Sequence, residues 1–260
     1  MTAAVIAKDV SKTFQLRHSF TFRQLMSNRR ARNDPSTVVQ ALEDVSFRVD
    51  QGAGVALMGL NGSGKSTLLK LISGVMIPDS GTVHLRGRVA GLIDTGSAMH
   101  PELTCRENIY LQASILGMSR AEIASKFDAI VDFSGISERF LDTQVRFLSS
   151  GMFSRLGFAI AIHTEPDVFL VDEVLAVGDG QFKKKCRKTL LALREDEGMT
   201  LIIVAHEIGL LRKLCTEAIV LESGRLTYRG ELAGAELLIG DEADDGEFAA
   251  LGDPAGSGAH

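Results

Sequence analysis

The sequence predicts an α/β fold: a mainly parallel sheet with an antiparallel β subdomain and an inserted helical subdomain. Three observations predict it. Three short, wholly apolar runs, Val55–Met58, Val168–Val171 and Leu201–Val204, alternate with helical stretches. Such runs read as strands buried on both faces, the habit of parallel sheets covered by helices. Thr104–Glu107 and Ser119–Glu122 are capping-box patterns, and they open a helical stretch of about residues 100–165 inserted between the first two runs. Finally, Val45–Val49 alternates, and Ala218–Leu221 and Arg225–Tyr228 flank Ser223-Gly224, as antiparallel strands do.

A chain of 260 residues allows one large domain or two small ones and is ample for a sizeable core. Its 45% hydrophobic and 23% charged residues are an ordinary globular balance, and a formal charge of −5 argues against a nucleic-acid binder driven by net basicity. Cys105, Cys186 and Cys215 are widely spaced, show no metal pattern, and read as reduced thiols. No run of about 18 apolar residues is present, so no segment is expected to span a membrane. The first residues lack a signal-peptide layout.

In chain order, Val5 to Phe14 reads as a strand and its exit. Residues 16–37 differ: Arg17, Arg23, Arg29, Arg30 and Arg32 interleave with Phe20, Phe22, Leu25 and Met26, and the last three fit a short amphipathic helix. An exposed basic loop and a contact surface for a membrane-side partner both fit this insertion. Val45–Val49, the turn Gln51-Gly52 and Val55–Met58 read as a hairpin. Pro78–Gly81 is a turn, with strands expected at Val83–Gly87 and Val89–Ile93. Ser150–Ile162 reads as a helix. Residues 1–240 are expected to form the folded domain, and the Asp/Glu/Gly/Ala/Ser-rich residues 241–260 a disordered tail.

The chemistry centres on Gly59-Leu60-Asn61-Gly62-Ser63-Gly64-Lys65-Ser66-Thr67, which fits the phosphate-binding pattern G-x-x-x-x-G-K-[ST] between a strand and a helix. Glycines let backbone N–H groups close on an anion, and the helix start adds free donors and partial positive charge. Lys65 should reach the β- and γ-phosphates and Ser66 should hold Mg²⁺. Asp172 closes a buried strand, where open α/β sheets place ligands, and suits Mg²⁺ held partly through water. Glu173, pointing differently, is free to polarise the attacking water. His206 closes another core strand and could donate to the γ-phosphate, orient the water, or be structural. Ser149-Ser150-Gly151 at a helix start offers a second anion site, or an ordinary serine cap. The lysines 183–185 read as a solvated helix face.

The phosphate loop, Leu148–Met152, Val168–Glu173 and His206, in that order, resemble the nucleotide-binding subunit of ABC transporters over roughly residues 5–235. Ser149-Ser150-Gly151-Met152, the segment Val174–Asp179 with Gln181–Cys186 after it, and His100–Thr104 with Arg106–Tyr110 look more narrowly like the branch exporting lipid-linked polysaccharides and teichoic acids. The resemblance implies a P-loop ATPase core that binds ATP and Mg²⁺. It implies that Phe14 stacks on adenine, that Ser149, Ser150 and Gly151 contact the γ-phosphate held by a second copy in a head-to-tail homodimer, and that Asp179 communicates across that dimer. The Gln usual after the 89–93 strand is missing; Asp94-Thr95 stands there, with Asp94 the best substitute metal contact. The implied partner is a polytopic permease at the cytoplasmic face of the membrane that moves a lipid-linked glycan, and the implied place of 16–37 is near that membrane. A soluble ABC-type ATPase acting on ribosomes or DNA is the competing class; it usually carries a coiled-coil insertion or two cassettes, and this chain shows neither. A regulatory module without turnover fits poorly with an intact Asp172-Glu173 pair.

Overall fold

The computed structural model describes residues 2–16, 37–92, 99–172, 180–205 and 207–244. Strand β1 (Ala3–Leu16) pairs antiparallel with β2 (Thr37–Asp50). The expected exit at Phe14 is instead still strand, and Leu16 stands opposite Thr37. Residues 17–36, most of the predicted insertion, lie outside the described residues.

Strand β3 (Gly54–Met58) follows, then helix α1 (Lys65–Ile72). The expected hairpin between 45–49 and 55–58 does not form. β2 stays with β1, whereas β3 pairs in parallel with strands far along the chain. The reason is burial. Every residue of β3 is buried, so both its faces need cover that one antiparallel neighbour cannot supply.

Strands β4 (Ser80–Leu85) and β5 (Val89–Leu92) part company too. β4 joins the free edge of β1, making a three-stranded sheet in the order β2-β1-β4, while β5 starts the larger sheet. The helical subdomain comes next: α2 (Cys105–Ile115), α3 (Arg120–Ser134), two 3-10 turns and α4 (Ser150–Ile162). Both predicted capping boxes are formed, with Thr104 and Ser119 each accepting from the backbone of the glutamate three residues on. Strand β6 (Val168–Asp172), α5 (Gly180–Glu197), β7 (Thr200–Val204), α6 (Ile208–Leu214), β8 (Glu217–Glu222), β9 (Arg225–Glu231) and α7 (Leu232–Asp244) complete the order.

The larger sheet runs β5-β6-β7-β3-β8-β9, parallel except for the β8–β9 hairpin. Alternation along its strands builds two cores. Val55, Leu57, Leu170, Ile202 and Ile219 face α1 and the antiparallel sheet. Ala56, Phe169, Val171, Ile203 and Ala218 face α4, α5, α6 and α7. A third cluster, with Ile109, Ile123, Ile130 and Leu156 wholly buried, holds the helical subdomain together. Rings of Phe133, Phe158 and Phe182 meet at centroid separations of 5.9–6.0 Å and join that subdomain to the sheet.

Helix α7 runs to Asp244, past the boundary expected at residue 240. Leu232 and Ala235 are buried against the sheet, and Arg212 clamps Glu236 with two guanidinium nitrogens, so the helix is anchored over its first turns. Residues 245–260 lie outside the described residues.

Candidate nucleotide site

The phosphate loop leaves the C-terminal end of β3 and enters α1 through Gly64, which caps the helix in a left-handed conformation (φ 105°, ψ 0°). Only glycine suits this position. A Cβ would stand 2.5 Å from the Ala41 carbonyl oxygen and 2.8 Å from Leu42 Cδ2, so the loop is pressed against β2. No side chain caps α1 and no acidic residue lies in its first turn. The first N–H groups of a helix have no intrahelical acceptor, so this end remains open to an anion.

Lys65 is buried, and its Nζ donates to the Gly59 carbonyl at 2.7 Å and the Leu60 carbonyl at 2.8 Å. The ammonium is thereby held at the centre of the loop. Ser66 and Asn61 are exposed, and Thr67 is half-buried. Ser63 is turned inward: it is 3% exposed, its N–H donates to the Leu60 carbonyl at 3.1 Å, and its carbonyl accepts from Gly224 N–H at 3.0 Å. Gly224, in the β8–β9 turn, also accepts from Glu43 N–H at 2.9 Å. Arg225 pairs with the Glu43 carboxylate beside it. The loop is therefore braced by two elements remote in sequence, a support that the motif alone does not reveal because no local pattern encodes it.

Because β5, β6, β7 and β3 are parallel, their C-terminal ends share one edge of the sheet. Asp172, half-buried, ends β6 opposite Val204 of β7, and β7 adjoins β3. The strand order thus sets Asp172 on the same edge as the phosphate loop, with the end of β7 between them. Glu173, Asp179, Asp94 and His206 lie outside the described residues. A cavity of about 420 Å³ opens at this edge beside Gly59, Leu60 and Lys65. Val204, Ala205, Val220 and Leu221 wall it, and Leu238 of α7 reaches it, a contribution that no motif in the sequence singles out.

Phe14 is half-buried near the end of β1, opposite Val39, and Val38 and Val39 beside it are exposed, giving an apolar surface at the end of the hairpin.

The second anion site has its own geometry. Ser149 is the N-cap of α4, and its hydroxyl accepts from Met152 N–H at 3.2 Å. The ordinary-cap reading therefore holds for the Ser149 hydroxyl. Ser150 is exposed, and nothing lies within 4 Å of where a Gly151 Cβ would stand. The first-turn N–H groups of these two residues are consequently open to a large anion arriving from outside.

The comparisons with known proteins agree with this architecture. The ABC transporter family model matches residues 42–176, just over half of the chain. A Klebsiella pneumoniae protein described as an O-antigen export system ATP-binding protein RfbB is 45% identical over 199 residues, 76% of this chain and 79% of that protein. A Myxococcus xanthus protein of the same description is 40% identical over 237 residues, covering 88% of this chain but only 53% of that protein. Among solved structures, a dimeric ATP-binding cassette in a post-hydrolysis state, bound to ADP and phosphate, superposes with a TM-score of 0.70 at 24% identity, over 88% of this chain and 98% of that one. A glycine-cradled, uncapped helix start on the same sheet edge as a strand-end carboxylate, on a fold shared with that cassette and a sequence shared with those relatives, places the chain: it belongs to the ABC transporter family.

Proposed function

We propose that this chain is the ATP-hydrolysing subunit of an ABC exporter that moves a lipid-linked polysaccharide, O-antigen-like or galactan-like, across the cytoplasmic membrane. The observation that carries the nucleotide part is the open N-terminus of α1 with Lys65 held at its centre, on the sheet edge that Asp172 shares. The glycan class rests on the names of the relatives, both called O-antigen export proteins.

In this reading the triphosphate settles on the first N–H groups of α1. Lys65 exchanges the Gly59 and Leu60 carbonyls for β- and γ-phosphate oxygens, trading neutral acceptors for charged ones that bond roughly twice as strongly. Phe14, on its apolar hairpin surface, stacks on the adenine. The oxygen donors of Ser66 and Asp172 fit Mg²⁺, a hard cation, with Asp94 a further candidate; the ion would neutralise charge on the phosphates. Glu173 takes the proton of a water that attacks the γ-phosphorus, and the bridging oxygen leaves with ADP. His206 orients the water or donates to the γ-phosphate.

The open helix start at Ser149, Ser150 and Gly151 supports a head-to-tail homodimer, in which each copy closes the other's nucleotide and Asp179 communicates between them. Closure drives a separate polytopic permease, and the chain sits on the cytoplasmic face of the membrane through that partner. Among the described residues no helix is long and apolar enough to cross a membrane. Residues 1–240 act as one nucleotide-binding domain, with 16–37 as a membrane-side contact. No nucleic acid is part of this reading.

Glu173→Gln tests it. The variant should keep ATP binding, lower turnover by roughly 10² or more, and migrate as a dimer with ATP in size-exclusion chromatography. Parental turnover would remove Glu173 from the base role. Purification of the chain from native membranes should bring a polytopic protein with it; a chain recovered wholly with ribosomes would refute the exporter reading.

A further inference from the structure

The region around Phe14 has a construction that the phosphate chemistry does not use. β1 is longer than its neighbour β4. The β1–β4 ladder ends at Ser11 opposite Ser80, whereas β1 continues to Leu16. Beyond Ser11, then, β1 has β2 on one edge and, among the described residues, no strand on the other, and its pairing with β2 is interrupted by a register shift between Lys12 and Thr13. A strand end with one irregular neighbour is free to twist and fray. The residue after Thr13 is Phe14.

Asp79, the residue just before β4, fills the missing edge. Its N–H donates to the Ser11 carbonyl at 2.9 Å. Its carboxylate accepts from Thr13 N–H at 2.7 Å, from Thr13 Oγ1 at 2.7 Å and from Lys12 Nζ at 2.6 Å. One side chain thus continues the ladder past the end of β4 and takes the backbone donor that β4 would have met. The Lys12 ammonium, then the Thr13 N–H and hydroxyl, hold this carboxyl down to about 2, so it is ionised at neutral pH. The ion pair with Lys12 is partly exposed, so solvent screens it. The backbone bond to Thr13 adds a second restraint, beside the β2 ladder, to the strand end that carries Phe14.

We infer that Asp79 is a positioning residue for nucleobase recognition: by binding the Thr13 N–H it holds the end of β1 so that Phe14 presents its ring to the base. This rests on the adenine-stacking role proposed above for Phe14. It assigns a function to a residue that, in the sequence, reads only as part of a Pro78–Gly81 turn.

The test is a double-mutant cycle in the full-length protein, with Kd measured for MgATP and for Mg-bound inorganic triphosphate, which lacks the base. Phe14→Ala should raise the Kd for MgATP roughly 5- to 150-fold, the range of base–aromatic stacking, and leave triphosphate within about twofold. Asp79→Ala should raise the Kd for MgATP about 3- to 10-fold with triphosphate again unchanged, which also shows that the phosphate loop remains folded. Asp79→Asn, which keeps one acceptor for Thr13, should recover part of the loss, and Lys12→Met should stay within about twofold. In the Phe14→Ala background Asp79→Ala should add less than about twofold. If Phe14→Ala leaves the ATP-to-triphosphate ratio unchanged, the stacking reading fails and the inference with it. If that ratio rises but Asp79→Ala acts equally in both backgrounds, or weakens triphosphate as much as ATP, the inference alone is overturned and Asp79 is only a brace.

Discussion

Replacing Gly64 by alanine separates backbone strain from the contact that presses the phosphate loop against β2. Gly62 and Gly64 both have positive φ, 83° and 105°. An alanine at either position has to adopt a conformation costing about 1–3 kcal/mol. They differ in surroundings. A Cβ at Gly62 meets nothing within 4 Å, whereas one at Gly64 stands 2.5 Å from a backbone oxygen, Ala41 O, and 2.8 Å from Leu42 Cδ2. Leu42 is wholly buried, so neither neighbour can simply swing away. The overpacking adds about 1–3 kcal/mol to Gly64→Ala and nothing to Gly62→Ala. For a chain of this size each kcal/mol moves the melting temperature roughly 2–4 °C. Gly64→Ala should therefore melt roughly 2–12 °C below Gly62→Ala in apo protein followed by circular dichroism. It should also bind MgATP more weakly, since the loop has to lift from β2 to accommodate the methyl group. Equal melting temperatures for the two variants would refute the idea that contact with Ala41 and Leu42 sets the loop's position.

Two further outcomes follow from local geometry. Ser119→Ala removes the hydroxyl that accepts from Glu122 N–H and should cost about 1 kcal/mol in denaturant unfolding, with an unchanged m-value. Burial pushes the His163 imidazole below its ordinary value, ahead of an opposing hydrogen bond to the Ala159 carbonyl. A depressed histidine binds fewer protons folded than unfolded, so its contribution to stability is present above about pH 6.5 and declines as pH falls below it. His163→Gln should flatten the stability-versus-pH curve in that window; an unchanged slope would assign the dependence to other groups.

The repertoire of elements was legible because local chemistry writes it. α4 runs over Ser150–Ile162 as expected, since a serine cap and a continuous apolar face bound it on the sequence itself. Both capping boxes formed, because their partners lie three residues apart. Where the expectation failed, a distant neighbour decided. Val45–Val49 and Val55–Met58 look like a hairpin because they are adjacent, but full burial sends β3 to β7 and β8. The tail expected from residue 241 is helix as far as Asp244, because α7 is anchored upstream by Leu232, Ala235 and the Arg212–Glu236 clamp, contacts that no local pattern announces.

The candidate site divides in the same way. The phosphate loop was readable directly, since glycine conformations and a helix start are properties of a short contiguous stretch. It also set out Asp172 as a strand-end carboxylate. Tertiary packing alone sets Lys65 on the Gly59 and Leu60 carbonyls, lets Gly224, itself bonded by Glu43, brace Ser63, and brings Asp79 to complete the edge of β1 beside Phe14. These contacts join residues separated by anything from a few positions to more than a hundred. A hydrogen bond is directional and short-ranged, so chain separation says nothing about whether two groups will meet until the sheet order has brought them to the same edge.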